Sequence, residues 1–245
     1  MSNFLAELIG TAVLLLLGNG VVANVILEQT KGYNSGWIVI TFAWGLAVFV
    51  AVFITAPYSG AHLNPAVSIG LATAGVFDWA EVPTYIAGQM IGAALGTTLA
   101  WLTYRQHVQA TTDANAKLGI FATIPAIRST PDNFFSELLG TFVLVFAVLF
   151  IALPSFSSPE IGTAEFGLGA LGALPVGLLV FGIGLSLGGT TGYAINPARD
   201  LSPRIMHALL PIAGKRDSDW SYAWIPVVGP IVGGLIAGIL YRLLA

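Results

Sequence analysis

The residues best suited to chemistry are two identical triplets, Asn64-Pro65-Ala66 and Asn196-Pro197-Ala198. Each follows an extended, glycine-containing stretch and precedes a short apolar run. Asn is a preferred helix N-cap and Pro is preferred at the first helical position. Each triplet therefore starts a helix whose Asn side-chain oxygen caps its own N-terminus. The amide NH2 is then left free to point into a lumen, where two facing donors hold the oxygen of a passing solute. Both helix N-termini carry roughly half a positive charge, and that field repels cations and hydronium at a narrow middle. The stretches before the triplets, Gly60-Ala61-His62-Leu63 and Gly192-Tyr193-Ala194-Ile195, add a ladder of carbonyl acceptors. Arg199 follows the second triplet; an Arg within apolar sequence is costly in lipid and functional by default. Two carboxylates, Glu7 and Glu137, also lie inside apolar runs.

These groups do not make an enzyme. There is no nucleophile–base pair, no cluster with metal-ligand spacing and no cysteine for a thiolate site, so neither a metal nor a cofactor is expected. The chain has 245 residues, 56% hydrophobic and only 9% charged, with a mean hydropathy of +0.84. A soluble domain averages about 25% charged residues, so this chain cannot cover a water-facing surface. Nine Lys+Arg against twelve Asp+Glu give a net charge of −3. The charges are scattered, which excludes the basic stripe of a nucleic-acid binder. The apolar content excludes disorder. What remains is a multi-pass membrane protein whose surroundings are membrane lipids.

The elements that position the triplets can be read from the spans. A membrane-crossing helix needs roughly 20 mostly apolar residues. Six stretches qualify: Phe4–Leu27, Trp37–Ala56, Val82–Tyr104, Phe134–Leu153, Leu168–Leu187 and Tyr222–Leu244. The first is not a cleaved signal, because it lacks a basic leading region and is too long. Gly88, Gly92 and Gly96 form a row of small residues suited to close helix packing in lipid; Gly229, Gly233, Gly234 and Gly238 make a similar set. The polar stretch Arg105–Asp132 reads as ordinary loop.

The two halves repeat. The pattern F-x-x-E-L-x-G-T occurs at Phe4–Thr11 and at Phe134–Thr141. Asn64 and Asn196 stand at equivalent places in the two copies. One such triplet is roughly a one-in-several-thousand event at average composition, so a matched pair is a strong signal. Each repeat carries three spans, an odd number, so the second must enter the membrane from the opposite side. The runs after the triplets, from Asn64 to about Ala74 and from Asn196 to about Leu210, are too short to cross: about eleven residues cover about 16 Å, half of a core about 30 Å thick. Non-helical backbone at that depth survives only if buried or lining a water-filled cavity. The expected fold is an all-α membrane protein of six transmembrane helices plus two re-entrant half-helices in inverted three-helix repeats. It forms a single domain over 1–245, with a first repeat at 1–105, a connecting loop at 106–132 and a second repeat at 133–245.

The paired triplets, the E-L-x-G-T openings and the segment Ser59-Gly60-Ala61-His62-Leu63-Asn64-Pro65-Ala66-Val67-Ser68 resemble the major intrinsic protein family, the aquaporins and glycerol facilitators. The resemblance covers essentially the whole chain, and Asp200 after Arg199 resembles the facilitator branch. It implies a four-residue selectivity filter of Trp44, Gly184, Tyr193 and Arg199, with Tyr193 standing where Phe is commoner among facilitators. Trp44 and Tyr193 then offer ring faces to a carbon backbone, Arg199 offers fixed donors, and Gly184 leaves room. The implied function is a passive channel for small uncharged solutes. Glycerol and similar polyols, water and protonated short hydroxy acids such as lactic acid all fit that constriction. The resemblance further implies a homotetramer in the cell membrane, both termini in the cytoplasm, and a role for Glu7 and Glu137 in bracing the carbonyl-bearing loops.

Other residues give weaker signals. His62 is expected to offer its carbonyl to solute and its ring to the loop, and Asp200 to pair locally. Pro203 removes a helical bond to the Arg199 carbonyl. His107 and His207 read as loop or surface residues. The positive-inside rule conflicts with the resemblance. Lys31, Arg105, Lys117, Arg128, Lys215 and Arg216 fall in loops on one side, which by that rule puts the N-terminus outside. A secondary transporter also uses inverted repeats and broken helices, and would need Glu7 and Glu137 as coupling groups. A scaffold that has lost conduction is a third class.

Overall fold

The computed structural model describes residues 1–152, 155–158, 162–165 and 167–245. In chain order the elements are α1 (Asn3–Ile26), α2 (Trp37–Ser59), α3 (Pro65–Ala74), α4 (Val82–Thr103), α5 (Arg105–Ala110), α6 (Ala114–Gly119) and α7 (Thr130–Leu149). A short antiparallel hairpin follows, β1 (Ser155–Ser158) with β2 (Gly162–Glu165), pairing Ser155 with Glu165. Then come α8 (Leu174–Leu187), α9 (Pro197–Leu209) and α10 (Ile225–Leu244). A 3-10 turn, Gly169–Ala173, leads into α8. Among the described residues, six helical segments are long and apolar enough to cross a membrane: α1, α2, α4, α7, Gly169–Leu187 and α10. The half-length helices α3 and α9 complete the inverted repeats, and the hairpin is a small addition between α7 and α8.

The span limits shift where local chemistry overrides hydropathy. The fourth span starts at Thr130 rather than Phe134. Pro131 fits the first turn, where no N–H is needed, and Asn133 Oδ1 accepts from the Ser129 N–H at 3.0 Å. It ends at Leu149; the expected end, residue 153, lies outside the described residues. The sixth starts at Ile225 rather than Tyr222, because the Tyr222 N–H turns back to the Asp219 carbonyl. The stretch read as loop, 106–132, instead contains α5 and α6. It also contributes Phe121, which is fully buried.

Glycine decides which helices touch. A Cβ on Gly92 would lie 2.2 Å from the Leu8 carbonyl oxygen, and one on Gly96 would lie 2.1 Å from that of Ala12. The α1 and α4 backbones thus meet with nothing between them. The second repeat matches: a Cβ on Gly233 would lie 2.2 Å from the Leu138 carbonyl oxygen, so α10 meets α7 in the same way. On another face of α10, Gly234 and Gly238 admit the carbonyls of Ala66 and Gly70 in α3, at 2.6 and 2.5 Å from their would-be Cβ atoms. In the other half α9 packs on α4, where Ser202 Oγ donates to the Met90 carbonyl at 2.8 Å. Close approach is how helices gain contact in lipid, where no hydrophobic force draws them together. Each half-helix is therefore wedged against a full span.

Gly92→Val is expected to fail to give monodisperse protein in detergent, or to melt many degrees lower, since overpacking against backbone costs about 1–3 kcal/mol or more. Gly20→Ala, whose Cβ would meet nothing within 4 Å, is the control and should melt at or above the wild-type temperature. Fluorescence-detected size-exclusion thermal scans measure both.

Candidate functional site

The two half-helices begin at capped asparagines. Asn64 Oδ1 accepts from the Ala66 N–H at 2.9 Å. Asn196 Oδ1 accepts from the Ala198 and Arg199 N–H groups at 3.0 and 3.2 Å. Neither amide nitrogen remains wholly free, contrary to the sequence expectation. Asn64 Nδ2 donates to the Ile195 carbonyl and Asn196 Nδ2 to the Leu63 carbonyl, each at 2.8 Å. Each triplet thus clasps the loop of the opposite repeat, and one N–H per amide remains. Each amide has only two N–H donors, and low-dielectric surroundings make an unanchored cap costly. Pro65, Ala66, Pro197 and Ala198 are buried in the first turns of α3 and α9.

The segments before the caps share an unusual backbone. Gly60, Ala61 and Leu63 have φ of 74°, 54° and 51°; Gly192, Tyr193 and Ile195 have 83°, 36° and 43°. For non-glycine residues this region is sparsely populated, and a β-branched Ile there is an outlier. Such strain persists only when the surroundings over-determine it. Here two buried carboxylates do so. Glu7 accepts from the His62 and Leu63 N–H groups at 3.0 and 2.7 Å, from Ser59 Oγ at 2.6 Å and from Gln89 Nε2 at 2.7 Å. Glu137 accepts from the Ala194 and Ile195 N–H groups at 3.0 and 2.8 Å and from the Thr191 hydroxyl. In a trans peptide the carbonyl points opposite to the N–H it is joined to. Turning the N–H groups of 62, 63, 194 and 195 onto carboxylates therefore turns the carbonyls of Ala61, His62, Tyr193 and Ala194 the other way. Leu63 and Ile195, also expected in the ladder, have their carbonyls engaged by the opposite asparagine.

A cavity of about 130 Å³ runs along these segments. It is lined by Gly60 through Asn64, by Tyr193 through Asn196, and by Trp44 and Arg199; Val48, Val52, Leu144 and Val180 add an apolar wall. The Arg199 guanidinium carbon sits 4.5 Å from the Trp44 ring centroid, a cation–π contact. Arg199 Nη1 and the Tyr193 hydroxyl are both buried and have no hydrogen-bond partner among the described residues. Gly184 and Gly192 do not line the cavity. A Cβ on Gly184 would lie 2.8 Å from Tyr193 Cζ, so this glycine makes room for the phenol ring rather than for solute directly. His62 does line it, its ring held by Ser68 Oγ at 3.0 Å from Nδ1 and packed on Phe77 and Tyr85.

Behind Arg199 stands a fully buried ion pair. Asp200 Oδ1 meets Arg204 Nε at 2.9 Å and Nη2 at 2.8 Å. Asp200 Oδ2 accepts from the N–H and the hydroxyl of Thr123, both at 2.7 Å. Arg204 also donates to the carbonyls of Ser218 and Thr123, at 2.8 and 3.0 Å. His207 is not a surface residue as expected. It is fully buried, with Nδ1 2.8 Å from Ser218 Oγ and its ring edge-on to Phe121. His107 lies 3.2 Å from the Glu28 carbonyl oxygen. The supports Ser59, Gln89, Thr123 and Arg204 were missed from sequence. Only Arg204, four residues beyond Asp200 on one helix, carried a readable signal; the others reach across 50 residues or more.

The pattern described as Major intrinsic protein matches residues 1–241. The chain belongs to the major intrinsic protein family. It is 54% identical over 242 residues to the probable glycerol uptake facilitator protein of Thermotoga maritima, covering 99% of both chains. It is 40% identical over 239 residues to the D/L-lactic acid transporter of Lactiplantibacillus plantarum, covering 96% of this chain and 94% of that one. The X-ray structure of the aquaglyceroporin from Plasmodium falciparum superposes with a TM-score of 0.82 at 33% identity, covering 98% of this chain and 94% of that one. The helical fold with six membrane-capable helices is thus that of the family.

Glu137→Gln is expected to lower the melting temperature by several degrees and to reduce flux. A carboxamide presents an NH2 to backbone donors, and each buried donor left unpaired costs about 1–3 kcal/mol. Paired thermal scans and solute-flux assays on the purified protein check this.

Proposed function

We propose that the protein is a passive channel for glycerol and similar short polyols, with water passing too. The observation that carries this reading is a pair of polar groups with no hydrogen-bond partner among the described residues, Tyr193 OH and Arg199 Nη1, set against the Trp44 face and an apolar wall. A solute with hydroxyls along one edge and carbons along the other satisfies both sides. Trp44, Gly184, Tyr193 and Arg199 form the selectivity filter, Gly184 by seating Tyr193. The glycerol facilitator and aquaglyceroporin relatives support the same solute class. As members of the family are channels, the protein is not an enzyme. Glu7 has four donors on its carboxylate, which occupies the lone-pair sites a proton relay would use and favours a channel over a coupled transporter.

Neutral lactic acid is a second solute of this pore. The hydroxyl on Tyr193 supports it, since a carboxyl group can use that hydroxyl and Arg199 together, and the lactic acid transporter relative agrees. The channel sits in the cell membrane as a homotetramer surrounded by lipid, with both termini in the cytoplasm. That orientation follows the family against a positive-inside count that rests on few charges. Lys117 Nζ donates to the Ala213 carbonyl at 2.6 Å, and Lys215 Nζ to the carbonyls of His207, Ala208 and Leu210 at 2.6, 2.8 and 2.8 Å. Arg128 pairs with Asp219, and Arg216 reaches Asn115 at 2.6 Å. Charges locked into loop structure are folding devices.

Stopped-flow shrinkage of proteoliposomes should show glycerol permeation well above protein-free vesicles, unchanged when ion gradients are collapsed. Dependence on such a gradient would point to a transporter instead. With no cysteine to modify, flux should be unaffected by mercurials. Tyr193→Phe is expected to leave glycerol flux intact or raised and to lower uptake of lactic acid about threefold to tenfold, the range of one lost hydrogen bond. Wild-type uptake measured below and above the acid's pKa should follow the neutral form; uptake that follows the anion would refute this solute assignment.

A further inference from the structure

Trp37 opens α2, where a tryptophan ordinarily anchors a span at the membrane interface. The residue is 39% exposed, and its indole also makes specific internal contacts. Nε1 donates to the Gly184 carbonyl at 3.0 Å, joining the start of α2 to α8. Its ring meets Tyr193 edge-on, centroids 5.8 Å apart and planes at 80°, the T-shaped arrangement that aromatic quadrupoles favour. The phenol is enclosed on its other flank by α8. A Cβ on Gly184 would stand 2.8 Å from Tyr193 Cζ and 2.9 Å from Thr41 Cγ2. A Cβ on Gly188 would stand 2.4 Å from Tyr193 Cδ1 and 2.9 Å from Trp37 Cζ2. Two glycines and one indole thus form a socket, and the side left open is the cavity. The phenol hydroxyl has no hydrogen-bond partner among the described residues to hold the ring, so its position rests on these shape contacts.

We propose that Trp37 is a positioning residue for the filter: it keeps the Tyr193 ring against the cavity and thereby sets the largest solute that passes. The inference rests on the reading of Tyr193 as a filter residue. Without the indole, space opens beside Tyr193 on the side away from the cavity. The ring relaxes into that space and the constriction widens. Glycerol, which already fits, gains little, while a longer polyol gains more. The readout is therefore a ratio of two solutes, which general loss of protein or of fold does not move.

The experiment compares erythritol and glycerol permeability in proteoliposomes of the full chain. Trp37→Leu is expected to raise the erythritol-to-glycerol ratio about threefold to tenfold, the equivalent of losing one edge-on aromatic pair. Trp37→Phe, which keeps an aromatic edge and loses the N–H, should fall between. Gly188→Ala should press the ring toward the cavity and lower the ratio, so the idea stays testable if Trp37→Leu does not fold. Trp79→Leu, a change at an exposed residue outside this socket, should match wild type. In a Tyr193→Ala background, Trp37→Leu should change the ratio little, because the ring it positions is gone; coupling of this kind is what a double-mutant cycle isolates. An unchanged ratio in both Trp37 variants overturns the proposal, as does an equal change with and without Tyr193. A wild-type protein that conducts neither polyol overturns the channel reading itself, a result distinct from a conducting protein whose ratio ignores Trp37.

Discussion

A peptide N–H at the middle of a bilayer has no water to turn to, and leaving it unpaired costs several times what it would at a surface. Everything at the centre of this protein follows from meeting that demand without a helix. Glu7 and Glu137 supply the acceptors that helical carbonyls would otherwise supply, and Asn64 and Asn196 supply caps and cross-links. Because the N–H groups face the carboxylates, the carbonyls must face the cavity. The pore's acceptor surface is thus the reverse side of a satisfied hydrogen-bond network. The positive φ values at Leu63 and Ile195 are strain held in place by the same carboxylates.

The carboxylates can reach those loops only because the helices approach so closely. Glu7 lies between Phe4 and Leu8, whose carbonyls sit against Gly88 and Gly92 of α4; Glu137 stands in the same relation to Gly229 and Gly233 of α10. A side chain at any of these glycines would separate the spans and lengthen every bond from carboxylate to loop. Packing and polar satisfaction are one problem here, solved twice by the two repeats. The copies are not identical. Ser59 and Thr191 supply equivalent hydroxyls to Glu7 and Glu137, while Gln89 adds a further donor to Glu7 alone.

Electrostatics divides between the centre and the loops. At the centre, two half-helix N-termini and Arg199 make a positive region lined with neutral acceptors, which suits uncharged solutes and opposes cations. Arg199 is steadied by the Trp44 ring rather than by an acidic partner. Its neighbour Asp200 is engaged by Arg204 and Thr123, and Arg199 Nη1 has no hydrogen-bond partner among the described residues. Away from the centre, Arg204 of α9 holds the Thr123 carbonyl, while Lys117 of α6 and Lys215 bind carbonyls of the loop after α9.

The sequence alone determined the architecture and the extended segments before the two triplets that run along the cavity. Hydropathy marks the spans because lipid tolerates only long apolar helices, and the repeated E-L-x-G-T and Asn-Pro-Ala elements fix three spans per repeat and hence inversion. Capping chemistry located the half-helices to within a residue or two, since Asn and Pro act on their own neighbours. What the sequence could not give were contacts between distant residues. The cross-clasp of each Asn to the opposite loop, the service of Gln89 and Thr123, the burial of His207 and the seating of Tyr193 by Gly184 and Trp37 all join segments of different helices. Local periodicity carries no information about them. The physical reason is that helix geometry is set within a few residues. The partner of a buried polar group is instead set by which backbones can meet, and that was decided by glycines packing against carbonyls more than 80 residues away in the chain.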